Sequence, residues 1–333
     1  MLRKSSAMLE KAADQGDMNS LHNLGLLFLD GQGVPQSNVK AARYLQKAAN
    51  LGHAQAQCRM GSLFKEGHGV VQSNVAAVQW YTRAAEQGGA EAQCNLGIIF
   101  EDGHGVVQSD LVAAGWYRKA ANKGYEPAQY LLGIFFQEGR GVVQSDVEAA
   151  RWYRKAADQG NVMVKYFLGV YFQEGRGVVQ SDEEAARWYR KAADHGNLDA
   201  QHSLGICFVN GLGVVQSSSE AVHWWRKAAD QGNADSQYSM GISYMHGDGV
   251  AQSDTKAAEW WKKAAEQDHT NAQFNLGISF ESGIGLLQNE VEAARLYRKA
   301  GDRELTEGQF KLGCPFARGS GVAQSDVEAA HWF

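Results

Sequence analysis

The sequence predicts an all-α fold, an α/α superhelical solenoid of about nine 36-residue helix-pair repeats. Three observations lead there. A Gly preceded by Leu or Met recurs every 36 residues, from Gly25 and Gly61 through Gly277 to Gly313, without a slip. An aromatic follows three residues later each time (Phe28, Phe64, Phe136, Tyr244, Phe316), and a Gly-x-Gly six residues later. Between these marks, apolar residues recur every three or four positions, which is the helical period. A period of roughly 20–50 residues signals a repeat array, and it overrules the prior of about two domains that 333 residues would suggest. The repeat also accounts for most of the 38 Gly.

The fifth repeat shows why each element forms. Its first helix is predicted over about 162–174. Val164, Leu168 and Phe172 recur at four-residue spacing and share one face. Gly169 on that helix costs about 1 kcal/mol in propensity, which a close approach by the second helix would offset. Gly175 stops the helix, because Gly enters the left-handed region without penalty. The loop 176–180 leads to Ser181, and Ser181 with Glu184 reads as a capping box. The same pair recurs as Ser145 with Glu148, Ser217 with Glu220 and Ser325 with Glu328. The second helix carries Ala185, Trp188, Tyr189 and Ala192. It ends on Arg190 and Lys191, the favourable sign at a helix C-terminus, and Gly196 closes it. One such pair cannot bury its own apolar face, whereas stacked pairs can.

Three segments follow. Residues 1–16 read as the closing helix of an incomplete repeat, 17–304 as eight full repeats, and 305–333 as a truncated, divergent ninth. Pro315 lies two residues past the ninth Gly, and Pro inside a helix costs about 3 kcal/mol or more. Neither end resembles a polar cap, so a fragment or a decaying terminus is expected.

The full pattern is clearest in the fourth repeat: Leu132-Gly133, Gly139-Arg140-Gly141-Val142, Asp146, Ala149-Ala150, Trp152-Tyr153 and Lys155-Ala156-Ala157. It resembles the SEL-one-like repeat family, relatives of the tetratricopeptide repeats, across nearly the whole chain. The resemblance implies a right-handed α/α solenoid that serves as an adaptor or scaffold for other proteins, with no catalytic residues. One cysteine-rich bacterial subgroup is linked to β-lactam binding and hydrolysis. It pairs cysteines within a repeat, whereas Cys58, Cys94, Cys207 and Cys314 fall one to a repeat.

The nine copies also suggest a site. Columns that hold their residue type are expected to pack, and columns that vary are free to bind. The face opposite the packing residues, two before, two after and five after the helix Gly, is expected to line a concave groove. Its apolar floor would be Leu131, Phe135, Met163, Phe167 and Tyr171, continued by Leu63 and Ile99. Its acidic rim would be Glu66, Asp102, Glu138 and Glu174. Such a groove suits a protein or peptide with apolar anchors and basic flanks.

Other chemistry is disfavoured. Net charge is −5, with 32 Lys+Arg against 37 Asp+Glu, so a phosphate-neutralising face for nucleic acid is not expected. His22, Cys58 and Cys94 share a column, yet repeats spaced at helix-packing distances of about 8–10 Å hold them too far apart for one metal ion. Gly67-His68-Gly69 lacks the Lys-Ser/Thr of a phosphate loop. No triad signature, cofactor motif or metal set stands out, so no enzyme activity and no cofactor are expected. No apolar run approaches the ~20 residues of a membrane span. The opening Met-Leu-Arg-Lys-Ser-Ser has no apolar stretch after it, so a cytoplasmic location is expected.

Overall fold

The computed structural model describes residues 10–333. Among these residues every regular element is helical. Nine A helices open the repeats: Met18–Asp30, Ala54–Glu66, Ala90–Asp102, Glu126–Glu138, Val162–Glu174, Leu198–Asn210, Ala234–His246, Thr270–Ser282 and Thr306–Arg318. Each is followed by its B helix: Asn38–Asn50, Asn74–Glu86, Asp110–Asn122, Asp146–Asp158, Asp182–Ala193, Ser218–Ala229, Asp254–Glu266, Glu290–Gly301 and Asp326–Trp332. The predicted α-solenoid fold class and its helix-pair repeats are what the chain adopts. Residues 10–14 are helical, while the rest of the closing helix expected over 1–16 falls largely outside the described residues. The helix Thr306–Arg318 runs through Pro315 and ends at Gly319.

The chain divides into two compact units, Met1–Val164 with Arg176–Val178, and Lys165–Gly175 with Val179–Phe333. In the first unit, the helix glycines let the B helix press a large side chain onto the A helix. A Cβ on Gly133 would lie 2.4 Å from the Tyr153 ring, and one on Gly61 2.7 Å from Tyr81. Tyr81, Tyr117 and Tyr153 are consequently among the most deeply buried side chains. Buried glutamines tie each repeat to the one before: the Gln57 amide donates to the Ala49 carbonyl at 3.1 Å, and Gln93 to Ala85 at 3.1 Å. These bonds give a second partner to helix-end carbonyls that already accept from the Gly52 and Gly88 N–H groups, at 3.1 and 2.9 Å.

The second unit repeats the design with Tyr189, Trp225, Trp261 and Tyr297 over Gly169, Gly205, Gly241 and Gly277. Gln201, Gln237 and Gln273 bridge to the preceding B helix as in the first unit.

Two local expectations need correction. The Ser caps form, with Ser145 and Ser181 Oγ accepting from the backbone N–H of Glu148 and Glu184 at 3.3 and 3.2 Å. The reciprocal half of the capping box does not. The Ser145 and Ser181 N–H groups already donate to the carbonyls of Phe136 and Phe172, both at 2.9 Å. Released from that duty, Glu148 and Glu184 pair with Arg151 and Arg187 one turn on, at 3.5 and 2.6 Å. The Lys near the end of several B helices also does more than complement the dipole. Lys119 lies 3.8 Å from the Trp116 ring centre and Lys155 4.0 Å from that of Trp152, within cation–π range.

Candidate functional site

The A helices carry the candidate site, and the structure places the expected residues in three groups. Leu63, Ile99, Phe135 and Tyr171 are interior, at 4, 2, 0 and 2% exposure. They cannot serve as a groove floor, which corrects the expectation for that column. The cause is visible at Phe135. Tyr117 of the preceding B helix meets its ring edge-on at 5.1 Å, and the Arg140 guanidinium lies 4.5 Å from its centre. The column two after the Gly therefore fills the seam between consecutive repeats. Leu131 and Phe167 are half-buried, and Met163 is 48% exposed. Glu66, Asp102, Glu138 and Glu174 are exposed, as a rim requires. Part of that rim charge already has a neighbour. Glu66 lies 3.0 Å from His68, Asp102 3.7 Å from His104, and Glu138 3.8 Å from Arg140.

The apolar residues that do face outward stand one position after the Gly. In the first unit Leu26, Ile98 and Ile134 are half-buried, and the second repeat has Ser62 in their place, its hydroxyl bonded to that of Tyr81 at 3.0 Å. In the second unit the column continues as Val170, Ile206, Ile242 and Ile278 and ends on Cys314, with Ile206 37% exposed and Ile278 packed against the cluster around Tyr297. On one helix, residues one and five after the Gly are a turn apart, as are those two before and one after. Leu131, Ile134 and Glu138 thus share the open face of Glu126–Glu138. The signal was present in the sequence, because the Ile column recurs. The rule that columns holding their residue type pack inward does not apply to it.

A polar network sits beside the seam in the first unit. Arg140 in the Gly-x-Gly loop meets Glu101 at 2.8 Å and Asp110 at 3.0 Å. The Tyr117 hydroxyl donates to Glu101 at 2.5 Å. Burial, and then the Glu101 charge, push the Tyr117 hydroxyl pKa up, so it remains a neutral donor. In the second unit the same place holds Tyr297, Glu281 and Lys311, each contact at 2.8 Å. These networks connect consecutive repeats rather than activate a nucleophile.

The cysteines are unpaired, and burial pushes the thiols of Cys58 and Cys94 up to about 12 and that of Cys207 to about 11. At pH 8 these groups stay protonated. Iodoacetamide is expected to label them on the order of 100-fold more slowly in the native chain than in urea. Mass spectrometry of timed aliquots measures this, and comparable native labelling would contradict the burial. Among the described residues, no group of three or more His, Cys, Asp or Glu side chains is arranged to hold a metal ion.

Helix pairs at a 36-residue period, joined by Gln bridges and aromatic seams, define a helical-repeat protein of the tetratricopeptide-like class. Sel1 repeat segments match residues 6–17 and 19–53, and then nearly every residue through 306–333. The chain belongs to the Sel1 repeat family. It is similar to a protective antigen of uropathogenic Escherichia coli strains that displays an SLR fold. Identity there is 32%, covering 100% of this chain and 79% of that one, with a TM-score of 0.73. It is also similar to a Sel1 repeat protein from Oxalobacter formigenes, at 32% identity over 91% of this chain and 87% of that one, with a TM-score of 0.69. No curated protein matches.

Proposed function

We propose that this chain is a non-catalytic interaction scaffold. It holds a partner protein or peptide on the open faces of its A helices. The carrying observation is the column one after the helix Gly, a branched aliphatic in seven of nine copies (Ser62 and Cys314 are the exceptions) yet left partly in solvent. A packing position would be buried, and a purely solvated one would be polar. The partner on the first unit would supply apolar anchors to Ile98, Ile134 and Leu131. Its basic flanks would meet Glu66, Asp102 and Glu138. The protonated, buried thiols support a role without nucleophilic chemistry. They also fit the cytoplasm, where unpaired cysteines stay reduced. No described helix is long and apolar enough to cross a membrane.

Selection from a displayed peptide library tests the reading. Wild type is expected to enrich peptides with apolar anchors and Lys or Arg flanks. A variant with Ile98→Asp and Ile134→Asp is expected to retain its helical circular dichroism and bind those peptides at least about tenfold more weakly. Equal binding by the folded variant, or no enrichment by wild type, would overturn the proposal.

A further inference from the structure

We infer that the second unit holds a pocket for a planar aromatic ring of the indole class, where the eighth repeat has Leu in place of an aromatic residue. The relevant B-helix column is Tyr44, then Trp80 and Trp every 36 residues to Trp260, and again Trp332; at the eighth repeat it is Leu296, the one non-aromatic member. In two other copies this indole packs against the B helix before it. In the first unit Trp80 packs into a cluster with Ala42, Leu45 and Ala49 of the B helix before it. In the second, Trp332 packs in the same manner against Ala293, Ala294 and Tyr297. At Leu296 the corresponding space is left as a cavity of about 550 Å³. Ala258 and Ala265 of the preceding B helix, Phe280, Leu286 and Leu296 wall it, and the exposed Glu259, Lys262, Glu266 and Arg295 line it as well. Leu286 replaces the Val found at 70, 106, 142 and 250, a gain of one methylene that does not restore an indole.

The surrounding chemistry selects a ring over an aliphatic chain. In neighbouring repeats the Lys three residues on lies over the indole, Lys191 at 3.9 Å from the Trp188 ring centre, Lys227 at 4.3 Å from Trp224 and Lys263 at 3.9 Å from Trp260. Lys299 keeps that register at the cavity wall, with Leu296 where the ring would stand. Its ammonium lies 3.5 Å from Asp268. An apolar floor with an aromatic wall, charged side chains around it and an ammonium at hand matches the faces of an electron-rich planar ring. The volume lies within the roughly 300–1,000 Å³ range of small-molecule sites. The pocket is walled by two B helices and by Leu276 and Phe280 of the A helix between them, and neither Ile98 nor Ile134 lines it, so the Ile98 and Ile134 variant should leave it unchanged.

Free indole and N-acetyl-tryptophan amide are the probes, titrated into the full chain carrying labelled leucine methyls. The expected result is saturable shifts at Leu276, Leu286 and Leu296, with Kd below about 1 mM. Lys299→Met is expected to weaken binding about threefold, and Leu296→Trp by at least about tenfold, without lowering Tm. Binding of indole alone would support a free ring as the ligand, and binding of both would support a tryptophan side chain. If Leu296→Trp does not fold, the wild-type methyl shifts decide. No saturable shift at these methyls, or undiminished binding by folded Leu296→Trp, would overturn the inference.

Discussion

Gly141→Ala is expected to destabilise the chain by about 3 kcal/mol or more, the largest effect of a single added methyl group. Gly141 has φ +60°, a region that L side chains rarely adopt. A Cβ there would lie 2.1 Å from the backbone oxygen of Asp110 and 2.3 Å from its carbonyl carbon, at the start of the preceding B helix. Backbone cannot turn aside as a flexible side chain can. Relief would require separating the two repeats, which would also pull Arg140 from Asp110. The same meeting recurs at Gly177 with Asp146 and at Gly213 with Asp182, both 2.1 Å from the oxygen. Gly115→Ala is the matched control. It is helical and has nothing within 4 Å of the added carbon, so the change should stabilise by about 0.5–1 kcal/mol. Urea unfolding of both variants measures the contrast. A loss below about 1 kcal/mol for Gly141→Ala would show that the loop does not bear on the neighbouring repeat.

Tyr117→Ala is expected to cost about 3–5 kcal/mol, whereas Tyr117→Phe should cost about 1 kcal/mol. The alanine variant leaves a cavity beneath Gly97, where an added Cβ would now lie 2.4 Å from the Tyr117 ring. It also removes the edge-to-face partner of Phe135. The phenylalanine variant retains both and loses only the hydrogen bond to Glu101, which still has Arg140. Thermal and urea unfolding of the two variants separate ring packing from the hydroxyl. Equal losses would assign the stability to the polar network instead.

The groove illustrates where reading by columns succeeds and fails. Exposure was legible for Glu66, Asp102, Glu138 and Glu174, because a carboxylate at a helix end rarely finds burial tolerable. It was misread for Phe135 and Tyr171. Helical periodicity places residues two before and two after the Gly on neighbouring lines of one helix, but it cannot say which line the preceding repeat covers. Tyr117 and Arg140 cover Phe135, and both come from other elements. The Ile column failed in the opposite sense, since constancy among copies marks a constraint without naming burial as its source. The capping box failed for a similar reason. The Ser145 N–H is taken by the Phe136 carbonyl, a partner across the loop that local pattern does not include.

By itself the amino-acid order determined the 36-residue period, the two helices of each copy, the glycines that end them and the serines that begin them. These depend on spacing, propensity and backbone freedom, which act over a few residues. Only the tertiary structure decided which side chains fill the seams, that the isoleucine column stands partly in solvent, and that Leu296 leaves a space where its counterparts hold an aromatic ring. Each of these depends on a surface from a neighbouring repeat, and no single repeat contains that information.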